Sequence, residues 1–84
     1  MKKILMYCTQ ICPHCHSAEA LILEKENVVL EKLRVDIDAK LKDEMIIKTG
    51  RHTVPQIFIE DLHVGGCDDL YKLEEQGELD KMLL

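Results

Sequence analysis

Residues 3–23 read KILMYCTQICPHCHSAEALIL, and the fold turns on how this stretch divides. After one lysine, Ile4–Cys8 is a continuous apolar run, the pattern of a strand covered on both faces. Pro13 suits the first turn of a helix, where its missing N–H costs nothing. From there Ala18, Leu21, Ile22 and Lys25 recur at i, i+3, i+4 and i+7, with the lysine stem able to lie along the apolar stripe. The spacing predicts a helix over 13–26. Between this strand and this helix, residues 7–17 carry three cysteines and two histidines.

Moving outward, LEKLRVDID (30–38) alternates. Leu33, Val35 and Ile37 fall on one face and Arg34 and Asp36 on the other, which predicts a second strand. Leu41, Met45, Ile46 and Lys48 predict a helix over 39–49, stopped by Gly50 as a C-terminal cap. QIFIE (56–60) reads as a third strand, EDLH (60–63) as a turn and HVGG (63–66) as a short fourth strand. Asp68 or Asp69 can cap a helix carrying Leu70 and Leu73. Gly77 ends that helix, and Leu79, Met82 and Leu83 make a last helical stripe. The order is β-α-β-α-β-β-α with a final helical turn or two. The first two strands flank a helix and are expected to be parallel with a right-handed crossover. The last two share a short turn and are expected to be antiparallel.

Length and composition narrow the function classes. At 84 residues the expectation is one domain, 1–84, with one modest core. No segment reaches the ~18 apolar residues of a membrane span. MKKILMYC begins basic and turns apolar like a signal peptide, but the run stops early and no small-residue cleavage site follows. It reads as the first strand, and a cytoplasmic location is expected. In a reducing compartment four cysteines point to catalysis or metal rather than a disulfide framework. A net charge of -5 argues against nucleic acid as the main partner.

The cysteine-rich stretch admits several chemistries. Cys12-Pro-His-Cys15-His16 fits the C-x-x-C-H pattern of haem attachment. That attachment takes place in exported proteins, and a haem needs a largely helical apolar pocket, whereas this chain spends four segments on strands. Cys8, Cys12 and Cys15 match the C-x3-C-x2-C spacing of radical-enzyme clusters, whose barrels this length cannot build. Cys8, Cys12, Cys15 and His16 could ligate zinc, though structural zinc usually links two distant segments. A strand running into C-x-x-C at a helix start is the context of a thioredoxin-like redox motif. There, unpaired N–H groups and the helix dipole would stabilise a Cys12 thiolate, the species that attacks disulfides. Cys15, one turn on, could resolve a mixed disulfide. An incidental cysteine pair is the plain alternative.

With CPHC, TVPQIFI (53–59), GGCDDL (65–70) and this element order, the chain resembles the glutaredoxins of the dithiol, short bacterial type. The resemblance runs over essentially the whole chain. It implies a thioredoxin-like α/β fold, a mixed four-stranded sheet flanked by helices.

It also implies a site. Cys12 and Cys15 would be catalytic, with Pro13 and His14 modulating them. Pro55, following Thr53-Val54, would be cis and face Cys12, and the Val54 backbone would pair with the cysteinyl part of glutathione. Without the resemblance Pro55 reads as a simple proline at a strand start. Gly65 and Gly66 would let the backbone approach the ligand, whose γ-glutamyl carboxylate would meet N–H groups at Cys67 and Asp68. The Asp68 side chain, or Asp69 in its place, would meet the ligand ammonium; both could instead simply cap the helix. Many relatives carry a lysine where this chain has Thr9. Lys42 or Arg51 could take over the glycine carboxylate, or be solvated surface charges. His14 replaces a common tyrosine and is expected to stabilise the Cys12 thiolate and make the pair more oxidising. His16 reads as a solvent-facing helix residue and Cys8 as a small buried hydrophobe. Cys67, beside the pocket, is either an oxidation-sensitive thiol or a residue tolerated for its size.

The resemblance implies a glutathione-dependent oxidoreductase acting as a monomer on disulfide-bonded or glutathionylated proteins, with ribonucleotide reductase one candidate. Glutathione would be co-substrate, no metal is expected, and glutathione reductase would supply electrons indirectly. Two rivals remain at this level. One is a redoxin served by thioredoxin reductase. The other is a dimer binding a [2Fe–2S] cluster through Cys12 and two glutathiones.

Overall fold

The computed structural model describes residues 1–84. The elements run β1 (Lys2–Cys8), α1 (Pro13–Leu23), β2 (Val28–Arg34), α2 (Ala39–Thr49), β3 (Gln56–Ile59), β4 (Leu62–Gly65), α3 (Cys67–Glu75) and α4 (Glu78–Met82). The four strands form one mixed sheet in the order β2-β1-β3-β4. β1 and β2 are parallel, from Lys2 opposite Val28 to Cys8 opposite Arg34. β3 runs antiparallel to β1, with Tyr7 opposite Gln56, and β4 antiparallel to β3. The expected architecture is the observed one.

The apolar run of β1 is explained by its central place. Ile4, Met6 and Cys8 pack on one face in a cluster with Ala18, Leu21 and Ile22 of α1 and Leu70 of α3. Tyr7 packs on the other face with Met45 of α2, Val35 and Phe58. Helices α1 and α3 therefore cover one side and α2 the other, and both sides bury apolar surface.

Several boundaries depart from the sequence reading. The first helix ends at Leu23, not 26, because the chain turns through Asn27 (φ 60°) to enter β2. Lys25 lies past the helix, and its ammonium pairs with Glu74 of α3 and Asp80 of α4 at 2.7 and 2.8 Å. The second strand covers Val28–Arg34 rather than 30–38. Its partner β1 ends at Cys8, and a last hydrogen bond from Val35 N to Cys8 O (3.0 Å) closes the ladder. Residues 35–37 then turn, so Val35 is buried while Ile37 stands 75% exposed. On the second helix Lys48 is exposed rather than part of the apolar stripe. The fourth strand starts one residue early, at Leu62, and α3 begins at Cys67 with Gly66, not an aspartate, at its N-cap.

Local signals set α2 and the chain end. Asp38 accepts a hydrogen bond from Lys40 N at 2.9 Å, and Gly50 takes φ 69° to close the helix. Gly77, at φ 72°, separates α3 from α4. No helix is long and apolar enough to cross a membrane.

Candidate functional site

β1 ends at Cys8 in the middle of the sheet, and after Thr9–Ile11 the chain enters α1 through Cys12. Cys12 is the N-cap residue, and its sulfur accepts a hydrogen bond from Cys15 N at 3.1 Å. That is the position where an oxygen side chain satisfies an unpaired N–H at other helix starts. Pro13 occupies the first helical position. Cys12 and Cys15 are disulfide-bonded, with Cα atoms 5.2 Å apart. Cys15 is the more buried, but narrowly, at 4% exposed against 7% for Cys12.

The Val54–Pro55 bond is cis, the geometry the resemblance implied. Val54 stands outside both helices and strands, and its carbonyl oxygen lies 4.0 Å from Cys12 Sγ. Gly66 lies against the same segment. A Cβ there would meet Pro55 O at 3.4 Å, an ordinary van der Waals contact, so the approach itself does not demand a glycine.

A cleft of about 230 Å³ is lined by Val54, the residue whose carbonyl approaches Cys12, although neither disulfide cysteine lines it. His14 forms one wall, Thr53, Val54, Pro55 and Gln56 a second, and Gly66, Cys67, Asp68 and Asp69 a third, with Arg51 also lining it. Nearly all of the expected binding residues thus converge. Lys42, on α2, is not among the lining residues; Arg51 is the cation at the cleft. Thr9 faces a different hollow. A larger hollow of about 870 Å³ lies near Lys2, at the far end of β1 from Cys8, but no cysteine lines it.

The two aspartates are distinguished by their partners. Asp69 accepts a hydrogen bond from Gly66 N at 2.9 Å and pairs with Arg51 Nη1 at 3.5 Å. These contacts, the first above all, hold its carboxyl below the usual range. Asp68 is exposed, and no ion pair ties it down. Burial, and secondarily Asp68, pushes the Cys67 thiol up, which disfavours its thiolate.

One part of the site was missed by sequence reasoning. Gln56, 1% exposed, donates from Nε2 to Thr53 O at 3.1 Å and to Thr53 Oγ1 at 3.3 Å. Its Oε1 lies 2.8 Å from His63 Nε2. With the amide so oriented, His63 donates from Nε2. Burial first, then the Arg51 charge, holds the His63 pKa down, while Asp69 opposes that shift. The available signal was a glutamine directly after Pro55, inside an otherwise apolar strand.

His16 lies on the exposed face of α1, with Nε2 3.3 Å from Gln10 O. No group of three or more His, Cys, Asp or Glu side chains is placed to hold a metal ion.

Chemically, the site can cycle one disulfide at the head of a helix. It offers a nearby groove lined by one arginine and one aspartate without an ion-pair partner. Comparison with known proteins agrees. The family model described as Glutaredoxin matches residues 4–64. The chain is 47% identical over 83 residues to glutaredoxin 3 of Escherichia coli (strain K12), covering 99% of each. It is 49% identical over 82 residues to glutaredoxin 1 of Rickettsia prowazekii (strain Madrid E), covering 95% of this chain and 85% of that one. The solution structure of glutaredoxin from Brucella melitensis superposes with a TM-score of 0.83 at 42% identity, over 99% of this chain and 89% of that one.

Proposed function

The chain belongs to the glutaredoxin family of thiol oxidoreductases, and from that premise we propose that it is a glutathione-dependent oxidoreductase. Its substrates would be protein disulfides and protein–glutathione mixed disulfides. The observation that carries this reading is the placement of Cys12. Its sulfur sits at a helix start, 4.0 Å from the carbonyl oxygen of Val54, a residue that lines the cleft together with Pro55, Gly66 and Arg51.

In the reduced protein the Cys12 thiolate attacks a substrate sulfur. One S–S bond breaks, a mixed disulfide forms, and the substrate's second sulfur leaves as a thiolate. For a protein disulfide, Cys15 then attacks Cys12, releasing the substrate as a dithiol and leaving the Cys12–Cys15 disulfide. For a glutathionylated protein Cys12 alone suffices: it takes the glutathione and frees the protein thiol. Glutathione thiolate restores Cys12, and glutathione reductase recycles the resulting glutathione disulfide with NADPH electrons. The reducing cytoplasm is the compartment this chemistry suits. The reading takes the active protein as a monomer.

In the cleft, Val54 would pair with the cysteinyl backbone of glutathione, with Thr53 and Pro55 shaping that wall. Gly66 would admit the backbone, and Cys67 and Asp68 would present N–H groups to the γ-glutamyl carboxylate. The free Asp68 carboxylate suits the ammonium group better than Asp69, which is engaged elsewhere. Arg51 suits the glycine carboxylate better than Lys42, which lies outside the cleft. His14, exposed and lining the cleft, would favour the Cys12 thiolate and raise the potential of the pair. A His14→Tyr variant with an unchanged equilibrium against glutathione would remove that role.

The test is a coupled assay of NADPH consumption with glutathione, glutathione reductase and a small mixed disulfide. Activity lost in Cys12→Ser and retained in Cys15→Ser supports the reading. Wild type inactive with glutathione but active with thioredoxin reductase would overturn it in favour of the redoxin.

A further inference from the structure

The disulfide uses two of the four cysteines, and a third, Cys8, packs in the same core cluster. Cys8 is the last residue of β1 and, by strand alternation, shares the face of Ile4 and Met6 on which α1 packs. Cys8 and Cys15 belong to the same packed cluster and line the same hollow of about 340 Å³, which shares no lining residue with the cleft. Cys8 is a free thiol, 3% exposed, and only burial and charges act on it, with no hydrogen bond. Cys15 thus bonds to Cys12 and shares the hollow with Cys8.

We propose that Cys8 is a built-in exchange partner of the active-site disulfide. Its thiolate attacks Cys15 Sγ, the Cys12–Cys15 bond breaks, a Cys8–Cys15 bond forms, and Cys12 leaves as a thiolate. One disulfide replaces another, so no electron is gained or lost. The proton released from Cys8 balances the one Cys12 can take up. Attack on Cys15 rather than Cys12 follows from the leaving group. Disulfide exchange is faster when the departing sulfur is the better-stabilised thiolate, and Cys12 accepts the Cys15 N–H at the head of α1. The groups around Cys8 set how often it is a thiolate. Burial pushes its thiol up, Lys32 and Arg34 of β2 pull it down, and Asp36 and Glu19 oppose them. His16 lines the same hollow. The attack is internal and needs no solvent access to Cys8.

The product has a free Cys12 with Cys15 locked away. That form retains chemistry needing one thiol and lacks chemistry needing two. The exchange would let an oxidised molecule return to one-thiol work without an external reductant. The inference rests on the observed Cys12–Cys15 bond and not on the glutathione reading.

The test uses the full oxidised chain in buffer free of glutathione. N-ethylmaleimide is added under native conditions, where buried Cys8 is shielded and a liberated Cys12 is trapped. After denaturation, reduction and a second, different label, fragmentation of the tryptic peptide 4–25 reads Cys8, Cys12 and Cys15 separately. The expected result is maleimide on Cys12 in wild type and its loss in both Cys8→Ser and Cys8→Ala. Absence of maleimide on Cys12 in wild type, or equal labelling in the folded Cys8 variants, overturns the proposal. Because no glutathione is present, failure here is distinct from failure of the coupled assay.

Discussion

Asp69 reaches back across the first turn of α3 and accepts the Gly66 N–H at 2.9 Å, satisfying a donor that the helix itself leaves unpaired. The same carboxylate pairs with Arg51, so one side chain fixes both the helix start and the arginine beside the cleft.

The first prediction concerns acid stability. The folded Asp69 pKa is depressed, so its contribution is present above the unfolded carboxylate pKa of about 3.9 and is lost as pH falls through the folded value. Asp69→Asn should therefore cost about 1 kcal/mol at neutral pH and less in acid. Asp36, brought down to about 2 chiefly by Arg34, keeps its own share of the acid transition in the variant. Urea midpoints for both proteins at neutral pH and in acid check this. A gap that does not narrow in acid would remove the linkage.

Gly65 carries the second prediction. Its φ of +118° lies where side chains are strained, and an added Cβ would collide with the Asp69 carboxylate. Gly65→Ala should cost about 1–3 kcal/mol. Because the clash is with Asp69, the double variant Gly65→Ala/Asp69→Ala should lose less than the two singles summed. Simple additivity in chemical denaturation would mean backbone strain alone is responsible.

What the sequence could and could not tell follows the range of the interactions. α2 was legible to its ends because Gly50 stops it locally and its apolar stripe needs no partner to be recognised. The second strand was misplaced because alternation persists through Ile37, while pairing ends where β1 ends; a neighbour distant in sequence decides that boundary. Lys25 was read as a stem on α1 because nothing local reveals Glu74 and Asp80. At the site, Cys12 and Cys15 were legible from spacing, and the opposing walls came only with the family resemblance. The contact between Gln56 and His63 depends on β3 and β4 folding together, with a register shift at Ile57/Phe58, which no periodicity announces.

Tyr7 makes the third prediction, at alkaline pH. It is fully buried, and its hydroxyl donates to Glu44 of α2 at 2.6 Å. Burial first, then the Glu44 carboxylate, raises its pKa. The folded protein holds this proton longer than the unfolded chain. Stability is thus intact below about pH 10, the unfolded tyrosine value, and falls as pH rises beyond it. Tyr7→Phe should lose about 1–2 kcal/mol at pH near neutral and decline less steeply in alkali. Parallel declines for the two proteins in denaturant titrations would show that Tyr7 is not the group responsible.

The fourth prediction joins the core to the cleft. Gln56 is held between His63 of β4 and the Thr53 backbone, so it ties the strand pair to the segment ending at Pro55. Gln56→Leu keeps bulk but strands His63 and Thr53 without their partner, a loss of about 1–3 kcal/mol. If Thr53–Pro55 forms a wall of the glutathione site, loosening it should weaken binding more than chemistry. The expected signature in the coupled assay is a raised KM for glutathione with kcat nearly kept, since the contact between Cys12 and the Cys15 N–H is made at the head of α1, away from Gln56 in sequence. His63 donates to Gln56 from Nε2 whether neutral or protonated, so the tie should survive in mild acid, and the wild-type KM should not rise as His63 titrates. Gln56→Glu supplies the contrast. A carboxylate there still accepts from His63 but cannot donate to Thr53, so it should raise KM while retaining more stability than Gln56→Leu. A fall in kcat with KM unchanged in both variants would place the role of Gln56 in folding alone.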